Sequence, residues 1–238
     1  MAVNGDSDIV LLEFDRCLCC HAPHQIVDSL VQYLLYERQL VPSLIAEIVA
    51  QSSADSNTCR NRLREQFIKD FSEVRNMLRE VFRTHNKDRI KQMVLAIGPA
   101  PYLAHDLYRI RFPIGCQCVD VCDEQGALTS RECQNLSASF FRQGLCHSFK
   151  PIPAHASCRK MHILLYGGND LDLLHLGFQI KDNFAFPDKN LVRRRKTNVT
   201  DIDISHGDLC KGKLDVCYSA SDGCTWFYFN TMLSGFSD

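Results

Sequence analysis

Several things are missing from this 238-residue sequence, and each absence excludes something. No uninterrupted apolar run approaches the roughly 20 residues that a membrane span needs, so no spanning helix is expected. Met1 to Asp8 has neither a basic n-region nor an apolar run, so no secretory signal is expected. An excess of one charge is also missing: 27 lysines and arginines face 28 aspartates and glutamates. That balance argues against a dedicated nucleic-acid binder, while leaving room for a local patch. There is no Walker loop, no G-x-G-x-x-G, no G-x-S-x-G and no H-E-x-x-H, which removes the familiar nucleotide, dinucleotide, hydrolase and metalloprotease signatures. Internal repeats and low-complexity segments are absent too. One domain over the whole length is the simplest organisation.

Cysteine, by contrast, is plentiful: thirteen residues, an odd number. Without a secretory signal a reducing compartment is expected, and with it free thiols. The sequons Asn135-Leu-Ser and Asn198-Val-Thr then read as chance matches. Cys17, Cys19, Cys20, His21 and His24 offer zinc-type ligands, but structural sites usually pair two knuckles. The nearest partners, Cys116 and Cys118, are spaced C-x-C. Cysteines lining a strand-to-helix turn are the better reading, and no metal or other cofactor is predicted. Cys146-His147, and Cys158 with His162, could suggest a thiol nucleophile, yet no nucleophile signature surrounds them; no catalytic residue is predicted. Asp201, Asp203, His206 and Asp208 could hold a hard cation. However, alternation places Ile202 and Ile204 inward and the acids outward, as in a half-wet strand. Gly167-Gly168-Asn169-Asp170 reads as a turn. The charge run Arg193-Arg194-Arg195-Lys196 is a solvated loop, a nuclear import signal or a patch for an acidic partner.

The longest periodic stretch is Thr58 to His85. Leu63, Phe67, Phe71, Val74, Leu78, Val81 and Phe82 recur at helical spacing, opposite Arg60, Arg64, Lys69, Glu73, Arg75 and Glu80. At about 1.5 Å per residue this rod is roughly 40 Å long, and its stripe needs a sheet or other helices as cover. Around it, Ile9–Phe14 is expected to be a strand, Ile26–Leu40 and Ser43–Ala50 helices, and Ile90–Ile97 a buried strand. Leu103–Phe112 alternates as a strand, with Leu107, Ile110 and Phe112 set against Arg109 and Arg111, and Cys116–Asp123 alternates as well. Thr129 to Glu132 forms a capping box that opens a helix to about Phe149, with Cys133, Leu136, Phe140 and Leu145 inward. Phe141 lies about 100° round from Phe140, at the edge of that face or beyond it. Met161–Tyr166 is expected to be a strand and 169–198 irregular. Asn198–Ser205, Leu214–Ser219 and Trp226–Met232 are expected to be strands. The layout is α+β, with helices packed on one face of a mainly antiparallel sheet.

Three segments together resemble the comet family, adaptors that bind the spindle-checkpoint protein Mad-two. They are Leu34-Leu-Tyr-Glu-Arg-Gln-Leu-Val-Pro42, Val81-Phe-Arg83 followed by Arg89 to Gly98, and Trp226-Phe227 with Gly235-Phe236. Order and spacing agree over most of the chain. The resemblance implies a single HORMA-like domain over 1–238, three helices on a sheet with a C-terminal safety belt, and no enzymatic activity. It implies two partners: closed Mad-two, and a Pch-two-type AAA+ ATPase that returns Mad-two to its open form. It also implies residence in nucleus and cytoplasm, and at the spindle or kinetochore in mitosis. Glu37 falls where the family has a Mad-two-contacting glutamine. Phe141-Arg142, or Phe140 with a shift of one, falls on the family's interface Phe-Arg. Pro187, Asp188 and Lys189 fall near its Pro-Lys contact with the ATPase. A different HORMA-type module that clasps a peptide, and a zinc or thiol enzyme, are the alternatives.

Overall fold

The computed structural model describes residues 8–14, 22–51, 59–83, 89–112, 129–146, 160–182, 184–206 and 223–236. The Cys116–Asp123 and Leu214–Ser219 strands and most of the Cys17–His24 cluster lie outside these. The apolar stripe forms helix α3 (Cys59–Arg83). Phe67, Phe71, Val74, Leu78, Val81 and Phe82 are buried on it, together with Met77. Leu63 corrects the reading: it is 57% exposed. Phe67 stacks on Phe71 and meets Phe236 edge-on at 5.5 Å. Periodicity marks the face of a helix but not the turn at which its cover begins, and here the buried stripe starts at Phe67.

The strands are β1 (Asp8–Phe14), β2 (Ile90–Ile97), β3 (Asp106–Arg111), β4 (Lys160–Gly168), β5 (Phe178–Ile180), β6 (Asn198–His206), β7 (Cys224–Phe229) and β8 (Leu233–Ser234). They form one eight-stranded sheet in the order β1-β6-β3-β2-β4-β7-β5, with β8 also on β4. Most pairs are antiparallel, as expected, but β6 lies parallel to both β1 and β3. Helices α1 (Ala22–Glu37) and α4 (Ser130–Cys146) join α3 in the layer over the sheet, and a short α2 (Ile45–Gln51) links α1 to α3. The arrangement is compatible with an α+β layout.

Period-2 alternation sorts the strand residues. Val10, Leu12, Phe14, Met93, Leu95, Ile97, Tyr108, Ile110, Met161, Ile163, Leu165, Ile202, Ile204, Phe227 and Phe229 enter the large core shared with the helices. Across the sheet, a smaller cluster holds Val94, Ala96, Ala104, Leu107, Leu164 and Trp226. Leu107 therefore shares a face with Arg109 and Arg111, against the expected grouping with Ile110 and Phe112. Phe184 and Phe186 pack on this cluster. The stretch 169–198 is thus not irregular: it contains β5 and helix α5 (Lys189–Arg195).

Candidate functional site

The α1–α4 surface is built from the capping box upward. Thr129 N–H donates to Glu132 Oε2 at 2.8 Å, and Glu132 N–H donates back to Thr129 Oγ1 at 3.3 Å, which starts α4 at the expected residue. One face of α4 then rests on α1. Gln25 Nε2 donates to Ser137 Oγ at 3.0 Å, and the Ser29 and Ser137 hydroxyls lie 2.9 Å apart. Leu136 and Phe140 are buried on this side. At the far end of α4, the Gln143 amide clasps strand β1. Its Nε2 donates to the Glu13 carbonyl at 2.6 Å, and its Oε1 accepts from Glu13 N–H at 2.8 Å.

This seating decides between the two adjacent phenylalanines. Phe140 is fully buried, whereas Phe141 is 36% exposed at the rim. On this surface the Phe141 ring is accessible, whereas the Phe140 ring lies beneath it. Tyr33 of α1 meets Phe140 at 6.3 Å and Phe141 at 6.2 Å, both edge-on, and the two phenylalanine rings meet at 5.4 Å. Burial pushes the Tyr33 hydroxyl pKa up, and the nearby Glu37 charge adds to that. Tyr33 thus touches Phe141, and Glu37 follows one turn later on the same face of α1. Glu37, the last residue of α1, is exposed, as is Arg142. Arg142 Nε reaches its own helix at the Ala138 carbonyl, 3.3 Å away. Beyond Glu37 the chain turns through Gln39, whose φ of 53° is left-handed. Arg38 points inward instead, donating to the Tyr108 hydroxyl.

Pro187, Asp188 and Lys189 lie in the stretch that covers the other face of the sheet. Pro187 is half-buried and Asp188 exposed. Asp188 is the N-cap of α5 and accepts from Leu191 N–H at 2.7 Å. Lys189 is the first residue of that helix. Sequence reasoning missed α5, although an Asp three residues ahead of Leu191-Val192 is a start signal. Arg193, Arg194 and Arg195 consequently sit in the last turn of a helix, where cations suit the dipole, and Lys196 ends it at φ 54°. The solvated-loop reading of this run is corrected, although all four side chains remain exposed.

The other candidate chemistry is engaged elsewhere. Asp201 is buried and Asp203 half-buried. They stand in register with Arg109 and Arg111 on the neighbouring strand. Arg109 Nε lies 2.6 Å from Asp201 Oδ1, and Arg111 Nη2 lies 2.9 Å from Asp203 Oδ2, each pair bidentate. Arginine forks fill the carboxylates that a cation would need. His162 is buried, with Nε2 3.1 Å from the Gly98 carbonyl and Nδ1 3.1 Å from the Tyr228 hydroxyl. A carbonyl can only accept, so Nε2 carries the proton and Nδ1 accepts from Tyr228. Burial holds the His162 pKa below its ordinary value. Both nitrogens are occupied in a structural role. Cys158 and His147 lie outside the described residues. Cys133 and Cys224 are each half-buried. No group of metal-ligating side chains occurs among the described residues.

No family model matches the chain, and no curated protein matches it in sequence.

Proposed function

We propose that this chain is a non-enzymatic, HORMA-like adaptor. It binds closed Mad-two through the α1–α4 surface and presents it to a Pch-two-type AAA+ ATPase through the stretch around Pro187, Asp188 and Lys189. The outcome is conversion of Mad-two to its open form and silencing of the spindle checkpoint, in nucleus and cytoplasm and at the mitotic spindle. The observation that carries the reading is Phe141. Its backbone is fixed by a helix seated on α1 and clasped to β1, yet its ring stands at the rim beside Arg142, touching Tyr33, with Glu37 one turn further along α1. Aromatic residues and arginine are the types enriched at interface hot spots. Pro187 and Lys189 belong to the opposite side of the sheet, so one molecule can meet two partners at once.

The alternative, a different HORMA-type module that clasps a peptide under its belt, would retain neither form of Mad-two. Capture of locked-closed and locked-open Mad-two tests the proposal. Retention of the closed form alone is expected, and equal retention of both, or of neither, contradicts it. With the ATPase added, Pro187→Ala with Lys189→Ala should lower the rate of opening while leaving Mad-two binding intact.

A further inference from the structure

Among the described residues, strand β1 ends the sheet on one side, with β6 as its hydrogen-bonded neighbour. Val10, Leu12 and Phe14 are buried, so Ile9, Leu11 and Glu13 point to the opposite face. Ile9 is 64% and Leu11 42% exposed, an unusual amount for β-branched and aliphatic residues on a strand. The backbone groups of alternate residues also point alternately, and Glu13 fixes their phase. Its N–H and C=O are the pair held by Gln143, on the side away from β6. The N–H and C=O groups of Leu11 and Ile9, two and four residues earlier, therefore face outward along the same edge. Gln143 occupies, with one side-chain amide, the position that a residue of a neighbouring strand would take.

We propose that the outer edge of β1 receives an extended peptide segment of a partner as an added strand. Its main chain pairs with Ile9 and Leu11, and its apolar side chains cover theirs on the open face. A basic residue lies at the end facing the exposed Glu13 carboxylate. A second copy of this chain fits less well. From Asp8 to Leu11 the open edge spans about 13 Å. Pairing over that length falls well short of the roughly 1,200–2,000 Å² that a stable protein interface buries. A short segment needs no more than this edge, which is how main-chain pairing with alternate side-chain contacts recognises peptides elsewhere. The proposal is independent of the Mad-two reading.

The test uses the full chain and a blocked synthetic heptapeptide, Lys-Val-Thr-Val-Thr-Val-Lys, followed by amide hydrogen exchange. Saturating peptide should slow the Ile9 and Leu11 amides by about tenfold. An analogue with Glu in place of Lys should bind more weakly. Leu11→Pro removes one outward N–H while sparing the ladder to β6, and should abolish binding with the fold retained. If that variant fails to fold, Glu13→Lys replaces it and should reverse the preference between the two peptides. Gln143→Ala frees one further pair of backbone groups and should tighten binding severalfold. Unchanged exchange at Ile9 and Leu11 under millimolar peptide overturns the proposal. So does a dimer in sedimentation that Leu11→Pro dissolves, since the occupant is then a second copy.

Discussion

The two faces of the sheet are held by different forces. Toward the helices, Phe67, Phe71, Val74, Leu78 and Val81 share one buried apolar core with residues of all eight strands. On the other face, apolar cover extends over Val94, Leu107, Leu164 and Trp226 and then gives way to the Arg109–Asp201 and Arg111–Asp203 pairs, and finally to bare Ile9 and Leu11 on β1. Dispersion and water exclusion tolerate small changes of shape, whereas paired charges tolerate loss of neither partner. The helix face therefore serves as a rigid mount for Phe141, and the far face supplies register for the parallel strands β3 and β6.

The largest effect expected is on the helix side. Phe71→Ala should cost about 3–5 kcal/mol in chemical denaturation, because it leaves a cavity in the core. Leu63→Ala, on the same stripe but largely exposed, should cost under about 0.5 kcal/mol. Equal costs would erase the boundary drawn at Phe67.

Next is the ion-pair ladder. The Asp201 side chain is 4% exposed and that of Arg109 25%. Arg109→Ala should cost about 3 kcal/mol by stranding a buried carboxylate, whereas replacing both by leucine should be near neutral. If the double variant is no better than the single, the two residues act independently and the contrast between faces fails.

The smallest effect concerns pH. The folded state holds the His162 pKa below 6.5, so it resists protonation more than the unfolded chain does. This contribution is fully present above pH 6.5 and is lost as pH falls from there through the folded pKa. Asp28, whose carboxyl is pushed up by burial, acts with the opposite sign at lower pH. The readout is therefore the comparison with His162→Gln, which should lose less stability than the unsubstituted chain between pH 7.5 and 5.5.

Much of the helix side was legible in the sequence. The α3 stripe, β2 to the residue, and the Thr129 capping box all follow from local periodicity and hydrogen-bonding chemistry. So did the different fates of Phe140 and Phe141, since 100° of helix rotation separates neighbours. The far face was not legible. Whether Asp201 meets water or Arg109 depends on a strand about 90 residues away, which no local pattern reports. The parallel placement of β6 is equally non-local, whereas the grouping of Leu107 with the arginines follows from period-2 alternation and was open to a local reading. Helix α5 is a different miss: Asp188 signalled it, but one short turn among polar residues is a weak pattern.

The most direct test of the proposed function is Phe141→Ala, measured for affinity to closed Mad-two and for melting temperature in the same preparation. Loss of a hot-spot aromatic costs about 2 kcal/mol, roughly thirtyfold in affinity. The expected result is that loss with an almost unchanged melting temperature, while Phe140→Ala lowers the melting temperature steeply. Unchanged affinity in a stably folded Phe141→Ala variant would remove this helix face from the interface and contradict the proposal.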